Sequence, residues 1–397
     1  MNEINSKQSS MILRNARLVL PDGVAEGGSV LVERGRIQRI SAATESLSAG
    51  AAEEHDLAGL TLFPGFIDVH IHGAVGVDTM DATWQELTRV SEFLATKGVT
   101  AWLPTLVPAA REHYENAVSS IEKLLAEPGE SKGARVLGVH YEGPFVNTAQ
   151  CGALRSDHFR TFLSMTDLDA LPVPDSGSAV KMMTLAPEIE GGIDLVQELN
   201  KRGWVISIGH TRANIEVLDR AFQAGAHHLT HFMNAMAPLH HRSPGPVGWG
   251  LSRDDVSCDV IADGIHLDPT VLRLLVKLKT SDRLTLISDA IAAAGKGDGE
   301  YKIWGETIEV KNGRTRNARG SIAGSVITML DAARMMRSLG ASETDMARMT
   351  ATNPARLLRI DDDCGSLEEG KRADLVAIDD SGHVRLTLMR GRVAFQS

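Results

Sequence analysis

Through its middle, the chain alternates short apolar runs with amphipathic helical patterns, and this alternation limits the fold more than any other feature. The runs fall at 62–71, 99–107, 135–141, 180–187, 204–209, 227–230, 257–262 and 284–288. Between several of them, segments 84–96, 111–126, 193–202, 215–224 and 269–279 carry apolar residues at three- and four-residue spacing, the period of one helix face. Strands that alternate with helices run parallel, because a crossover helix joins each strand to the next. Eight such strands predict a parallel (β/α)8 barrel of the TIM type. A doubly wound sheet is the alternative, but no Gly-x-Gly-x-x-Gly follows the first strand.

The two ends read differently. Segments 11–20, 29–34 and 36–41 are rich in Val, Ile and Leu, with turns at Pro21-Asp22-Gly23 and Gly35. Segments 373–379 and 384–395 are also strand-like, broken at Ser381-Gly382 and Gly391-Arg392. They predict a small β-sandwich domain built from both termini, residues 1–61 and 360–397, beside a barrel at 62–359. The polar, glycine-containing stretch 295–317 predicts a hairpin inserted after the eighth strand.

Composition narrows the class further. A net charge of −10 with no basic tract argues against nucleic acid or an anionic membrane as partner. Three cysteines, Cys151, Cys258 and Cys364, are too few and too scattered for a disulfide framework or a cysteine metal cluster. The opening MNEINSKQSS has no apolar signal core, and no run approaches the roughly 18 apolar residues of a membrane helix. These features predict a cytoplasmic protein.

In a parallel barrel the chemistry sits at the C-terminal strand ends. Those ends carry His70 and His72, Glu142, His210, His231 and Asp289, and His266 follows the seventh strand. His70 and His72 share one strand face, because side chains alternate with period two. They follow the apolar FPGFIDV, and two buried imidazoles are unfavourable without a metal or hydrogen-bond partners. Glu142 in VHYEGPF can cap a turn, and a lone histidine is usually structural; His227 and His228 read that way. Together, however, Glu142, His210 in SIGHT and His231 in THFMNAM offer the N/O ligands that suit zinc or a similar ion. Asp289 in LTLISDA is either a helix N-cap or a group that ligates a metal or takes a proton from bound water.

FPGFIDVHIHG, SLEEGKRADLVAID and the β-rich ends resemble the amidohydrolase superfamily. HYEGPFVN, SIGHT, THFMNAM, RSPGPVG, ADGIH, SDA and SIAGS are similar to the N-acetylglucosamine-6-phosphate deacetylases, in that family's order and across nearly the whole chain. The resemblance implies that Glu142, His210 and His231 hold a principal divalent metal, zinc or alternatively iron, and that Asp289 is the catalytic acid/base. His70 and His72 match the members whose histidine pair can support a second ion, so one or two ions bind per subunit. It implies substrate contacts at Ala153, Asn234, Ala235, His266, Ile322, Ala323 and Gly324. Arg242 would reach the sugar phosphate in the neighbouring subunit of a homodimer. The expected reaction hydrolyses the acetamide of an N-acetylamino-sugar 6-phosphate, such as N-acetylglucosamine 6-phosphate, to acetate and the amino-sugar phosphate.

One departure leaves the sugar open. Where the family has Lys-Gly-(Ala or Thr)-His, this chain reads Cys151-Gly152-Ala153-Leu154. N-acetylgalactosamine 6-phosphate, a non-phosphorylated N-acetyl sugar and a cyclic amide are the alternatives. Many cyclic-amide hydrolases of the superfamily bridge two metals with a modified lysine on the fourth strand, whereas here Glu142 on the third strand fills that place. A barrel that had lost catalysis would lack ligands, and none is missing.

Overall fold

Two large sheets share the chain in the computed structural model, which describes residues 10–43, 47–48, 52–126 and 132–397. Residues 1–9, on which the signal-sequence argument rests, lie outside the described residues. The first sheet begins with Met11–Leu20 (β1), Gly23–Glu33 (β2), Arg36–Ser41 (β3), Glu53–Asp56 (β4) and Leu60–Pro64 (β5). The barrel follows as Phe66–Ile71 (β6), Val99–Leu106 (β7), Gly138–Glu142 (β8), Val180–Leu185 (β9), Val205–Ile208 (β10), His228–Leu229 (β11), Ser257–Ile261 (β12) and Leu284–Ile287 (β13). An insertion adds Gly299–Ile303 (β14), Glu306–Lys311 (β15) and Arg314–Arg316 (β16). The chain then returns to the first sheet with Leu375–Asp379 (β17), Val384–Met389 (β18) and Arg392–Gln396 (β19).

The terminal sheet runs β19-β18-β17-β5-β1-β2-β3, with β4 alongside β1. The two ends of the chain meet where β5 lies antiparallel to β17, Phe63 opposite Val376. Leu13, Leu18, Val30 and Ile37 from one end and Leu375 and Leu388 from the other form its buried core. Closing a loop of about 310 residues costs on the order of 5 kcal/mol from its logarithmic dependence on length. Each such side chain returns about 1.5–3 kcal/mol on burial, so a few of them decide the pairing.

Sequence periodicity predicts one barrel strand over 62–71, and the structure corrects this. The run divides at Gly65, with β5 in the terminal sheet and β6 opening the barrel. Gly65 N–H donates to Asp374 O at 2.8 Å. A Cβ at Gly65 would stand 2.3 Å from the Thr100 side chain, so only glycine lets the chain cross there. Both halves are apolar, and no periodicity marks the crossing.

Each barrel strand pairs parallel with the next, from Ile67 opposite Ala101 to Ile261 opposite Ile287. The helices between them are amphipathic. Trp84–Ala95 (α1), for example, starts at a Thr83–Glu86 capping box and buries Leu87, Val90 and Leu94. Between β13 and β6, the seam is closed by Ser288 Oγ on Asp68 Oδ2 (2.6 Å) and Asp289 N–H on His70 O (2.9 Å). The inserted segment, expected as a hairpin, is a three-stranded antiparallel meander, β14-β15-β16. Among the described residues, no helix is long and apolar enough to cross a membrane.

Candidate active site

The C-terminal ends of the barrel strands gather the side chains singled out by sequence. His70 and Glu142 come from the last residues of β6 and β8, and His72 follows β6 directly. His210, His231 and Asp289 each lie two residues past β10, β11 and β13. There each adopts a left-handed backbone, with φ of 49°, 31° and 48°. An L-residue in that region costs about 1–2 kcal/mol, and strain of this kind concentrates at functional sites. Gly324 permits the arrangement, because a Cβ there would stand 2.8 Å from Asp289 O.

Two triads share Glu142: His70, His72 and Glu142, and Glu142, His210 and His231. Glu142 Oε1 lies 3.0 Å from His210 Nε2 and 3.1 Å from His231 Nε2, while Oε2 lies 3.4 Å from His72 Nε2. Within each triad the imidazoles face each other nitrogen to nitrogen. His210 Nε2 is 3.1 Å from His231 Nε2, and His70 Nε2 is 3.2 Å from His72 Nε2. The opposite ring nitrogens fix the tautomers. His72, His210 and His231 each donate Nδ1–H to a main-chain carbonyl, of Thr105 (3.3 Å), Gln150 (2.8 Å) and Asn234 (3.2 Å). In the neutral rings, therefore, every one of these Nε2 atoms presents a lone pair, and lone pairs at such distances require a cation between them. Ligands about 2.0–2.1 Å from a tetrahedral ion stand about 3.3 Å apart, so the residues present fit a divalent metal at either triad. His70 Nδ1 is buried and has no hydrogen-bond partner.

The charges show the same demand. Burial would neutralise Glu142, but the neighbouring His70 and the hydrogen bonds of His210, His231 and His72 hold its carboxyl well below the usual range. Burial works against protonated His72 and His231, yet their bonds to Glu142, joined at His72 by Asp289, raise them to about 10 and about 9. Burial drives His70 well below its ordinary value. Positive charge thus belongs in this cluster, whether carried by protons or by an ion.

Behind the cluster, buried groups fix its orientation. Asp259 accepts the backbone N–H of His231 and pairs with His228 Nε2 at 3.1 Å, while His228 Nδ1 meets Ser257 Oγ at 2.7 Å. His228 is thus a hydrogen-bonded structural residue, as its sequence context suggests. His140 bridges Val69 O (3.0 Å) and Thr184 Oγ1 (2.8 Å), and burial pushes it down to about 4.

A cleft of about 310 Å3 opens above the two triads, with His72, Glu142, His210, His231 and Asp289 at its floor. Ala153, Asn234, Ala235, His266, Ile322 and Gly324 line its walls. His266 is held by Asp263, Nδ1 to Oδ2 at 2.7 Å. Three of the residues named from sequence do not line the cleft. His70 lies beneath it, fully buried, and Ala323 packs behind it against the inserted sheet. Arg242 stands on an exposed turn, away from the cleft of its own chain. Sequence reasoning also missed Trp304, at the first turn of the insertion, whose ring stands edge-on to His72 at 5.1 Å. The signal available was a lone tryptophan before a glycine in a polar stretch. Asp259 was missed as well, because nothing local distinguishes it from any other strand aspartate.

A parallel barrel with histidine–glutamate triads and an aspartate at its C-terminal mouth is the architecture of a metal-dependent hydrolase. The chain belongs to the amidohydrolase family, whose profile matches residues 61–394. It is 37% identical over 391 residues to the N-acetylglucosamine-6-phosphate deacetylase of Bacillus subtilis (strain 168), covering 98% of both chains. It is 35% identical over 384 residues to the N-acetylgalactosamine-6-phosphate deacetylase of Escherichia coli O157:H7, covering 96% of this chain and 99% of that one. The crystal structure of N-acetylglucosamine-6-phosphate deacetylase from Thermotoga maritima superposes with a TM-score of 0.87 at 35% identity, covering 98% of this chain and 100% of that one.

Proposed function

We propose that the chain hydrolyses the acetamide of an N-acetylamino-sugar 6-phosphate, N-acetylglucosamine 6-phosphate first among them, to acetate and the amino-sugar phosphate. The observation that carries this reading is the double triad sharing Glu142, with Asp289 Oδ1 3.2 Å from His72 Nε2 at the floor of the cleft. The names of the relatives supply the substrate class.

In this reading Glu142, His210 and His231 hold the principal ion, and His70 and His72 with Glu142 hold a second. The imidazole and carboxylate donors suit zinc, with iron as the alternative. When bound, the ion polarises the acetamide carbonyl and lowers the pKa of a water molecule. Asp289 accepts a proton from the attacking water and delivers it to the amine as the C–N bond breaks. His266 lines the cleft with its Nδ1 held by Asp263 Oδ2, and as an imidazolium paired with that carboxylate it would offer Nε2–H to the developing oxyanion. Asn234 and Ala235 on one wall, and Ile322 and Gly324 on another, position the sugar. Arg242, turned away from its own cleft, acts across a homodimer on the phosphate of the neighbouring subunit, where a guanidinium fork suits a dianion.

A second reading, N-acetylgalactosamine 6-phosphate, is supported by the Escherichia coli relative of that name, while Leu154, buried in the cleft wall where the family carries a histidine, removes a polar contact with the sugar. The test is acetate release by the metal-loaded protein from N-acetylglucosamine 6-phosphate, N-acetylgalactosamine 6-phosphate and the two free sugars. Cleavage of a phosphorylated sugar with at least about tenfold preference over its free form is the expected result; phosphoryl contacts through charge-assisted bonds are worth that much or more. Release from none of the four overturns the reading.

A further inference from the structure

Beside the metal cleft lies a second cavity of about 210 Å3, and the two share Ala153, Leu154 and Trp304 as a common wall. The order of the barrel fixes its side. Asn234, Ala235 and His266 rise from the loops after β11 and β12, whereas the second cavity is built by the loops after β6, β7 and β8, across the mouth from them, together with Trp304 and Gly305 of the insertion after β13. His72 and Asp289 lie between. An amide whose sugar rests on Asn234 and Ala235, with its carbonyl carbon beside Asp289, therefore points its acyl carbon toward Leu154 and Trp304.

We propose that this second cavity is a subsite for the acyl chain, so that the chain hydrolyses N-acyl amino-sugar phosphates whose acyl group is longer than acetyl. This inference rests on the deacetylase reading and extends it. Met80, Val107, Pro108, Ala109, Leu154 and Trp304 give the cavity an apolar side that suits a short aliphatic chain, and the exposed Asp81, His113 and Arg155 with the half-buried His158 complete its lining. Its volume holds several methylene groups, each comparable to the roughly 30 Å3 share of a water molecule in the liquid.

The wall is built rather than accidental. Arg319 Nη2 donates to Ala153 O at 2.8 Å, and the same guanidinium lies 3.6 Å from Glu306, two residues beyond Trp304. The loop that carries Leu154 and the turn that carries Trp304 are thereby tied together. The indole stands edge-on to His72, and its Nε1 is buried without a hydrogen-bond partner. The chemistry is unchanged: the C–N bond breaks, a C–O bond forms with water, both water protons end on the nitrogen as R′–NH3⁺, and R–COO⁻ replaces acetate.

The experiment compares kcat/KM of the metal-loaded protein on the N-acetyl, N-propionyl and N-butyryl derivatives of glucosamine 6-phosphate. Propionyl and butyryl substrates are expected within about tenfold of acetyl, whereas a closed pocket would reject an added methylene by about 10–200-fold. Two variants narrow the cavity away from the reacting atoms: Ala109→Phe at its buried end and His113→Trp at its exposed mouth. Each is expected to reduce butyryl turnover by about tenfold or more while acetyl turnover stays unchanged. The exposed His113 position keeps the test sound if the Ala109 variant does not fold. A steep loss from acetyl to propionyl in the wild type, or equal losses on all three substrates in His113→Trp, overturns the subsite. Cleavage of butyryl without acetyl would overturn the deacetylase reading and leave the subsite standing; cleavage of neither overturns both.

Discussion

Asp289 donates its backbone N–H to the carbonyl oxygen of His70 at 2.9 Å. The residue assigned the proton and an imidazole of the second triad are thus set by one bond across the barrel seam. Just below it, Asp68 accepts Ser288 Oγ–H at 2.6 Å and the backbone N–H groups of Ser288 (3.3 Å) and His70 (3.4 Å). Burial raises the Asp68 carboxyl to about 7 against these bonds. Between the first and last strands no ladder runs, so these hydrogen bonds, with those of the His72 and Gly73 N–H groups to Ala290 O (2.8 and 3.0 Å), hold the two sides of the site in register.

Removing the seam acceptor should therefore loosen both stability and metal binding. Asp68→Ala leaves a hydroxyl and two amides unpaired in the interior, which costs about 1–3 kcal/mol. Metal affinity should fall by about 10–100-fold, the usual penalty for losing an orienting group behind a ligand. Asp68→Asn keeps an acceptor oxygen and should lose much less of both. Thermal unfolding and metal titration check this, and an Ala variant with unchanged affinity would mean the seam does not orient the site.

The two triads predict stoichiometry. His70→Ala combined with His72→Ala should lower bound metal from about two ions to about one per chain, because Glu142, His210 and His231 remain complete. Glu142→Ala, which belongs to both triads, should abolish tight binding at either. Elemental analysis of the purified variants measures this. A wild-type ratio that never exceeds one removes the second position.

Protonation of the cluster predicts how metal binding depends on pH. Without metal, the bonds to Glu142 and Asp289 overcome burial and keep His72 and His231 protonated up to about 10 and about 9. Their folded values lie above the unfolded value of about 6.5, so they stabilise the metal-free protein most below pH 6.5. That contribution is lost as the pH rises through 9 to 10. Metal must displace these protons, so its apparent affinity should climb by up to about tenfold per pH unit for each proton released. Calorimetric titration in buffers of different ionisation enthalpy counts them. A metal affinity that is flat between pH 6 and 8 would contradict the charge pattern.

Much of this was legible before any coordinates. Parallel strands are buried on both faces and read as continuous apolar runs, which is why the barrel could be traced even through β11, a ladder of only two residues. Strand ends mark the mouth, and His70, His72, Glu142, His210, His231 and Asp289 are found together there. Features made by distant segments were not legible. Gly65 divides one apolar run between two sheets, Asp68 meets Ser288 across 220 residues, and Trp304 reaches His72 from an inserted sheet. The left-handed turns at His210, His231 and Asp289 also escape the sequence, because none uses the glycine or asparagine that signals such a backbone.

Arg242 gives a prediction about the phosphate. It stands exposed and away from its own cleft, so a role in phosphate recognition requires a second subunit. Arg242→Ala should weaken transition-state binding of the phosphorylated substrate by about 2–4 kcal/mol, with little effect on any turnover of the free sugar. Mixing Arg242→Ala with an Asp289→Asn chain should restore part of the activity, because one subunit then supplies the carboxylate and the other the guanidinium. Equal losses on both substrates, or no recovery in mixed dimers, would assign Arg242 a structural role.

Asp289→Asn separates the proton carrier from the helix cap. No helix starts immediately after Asp289, which is followed by turns until the meander, and its side chain instead faces His72 and His70 at 3.2 and 3.6 Å. Asparagine keeps the size and an oxygen that can accept hydrogen bonds, but it cannot take a proton from water at neutral pH. Turnover should fall by roughly 10²–10⁴-fold. The fold should survive, since the bonds that fix this position are made by the main-chain N–H and C=O, to His70 and from Ser325 at 2.7 Å. Substrate should still bind, because the sugar and phosphate contacts lie on other loops, so KM should move far less than kcat. Steady-state kinetics with unfolding temperature and ligand binding measured on the same preparation decides it. Near-normal kcat in Asp289→Asn would leave the carboxylate without its proposed part in proton transfer.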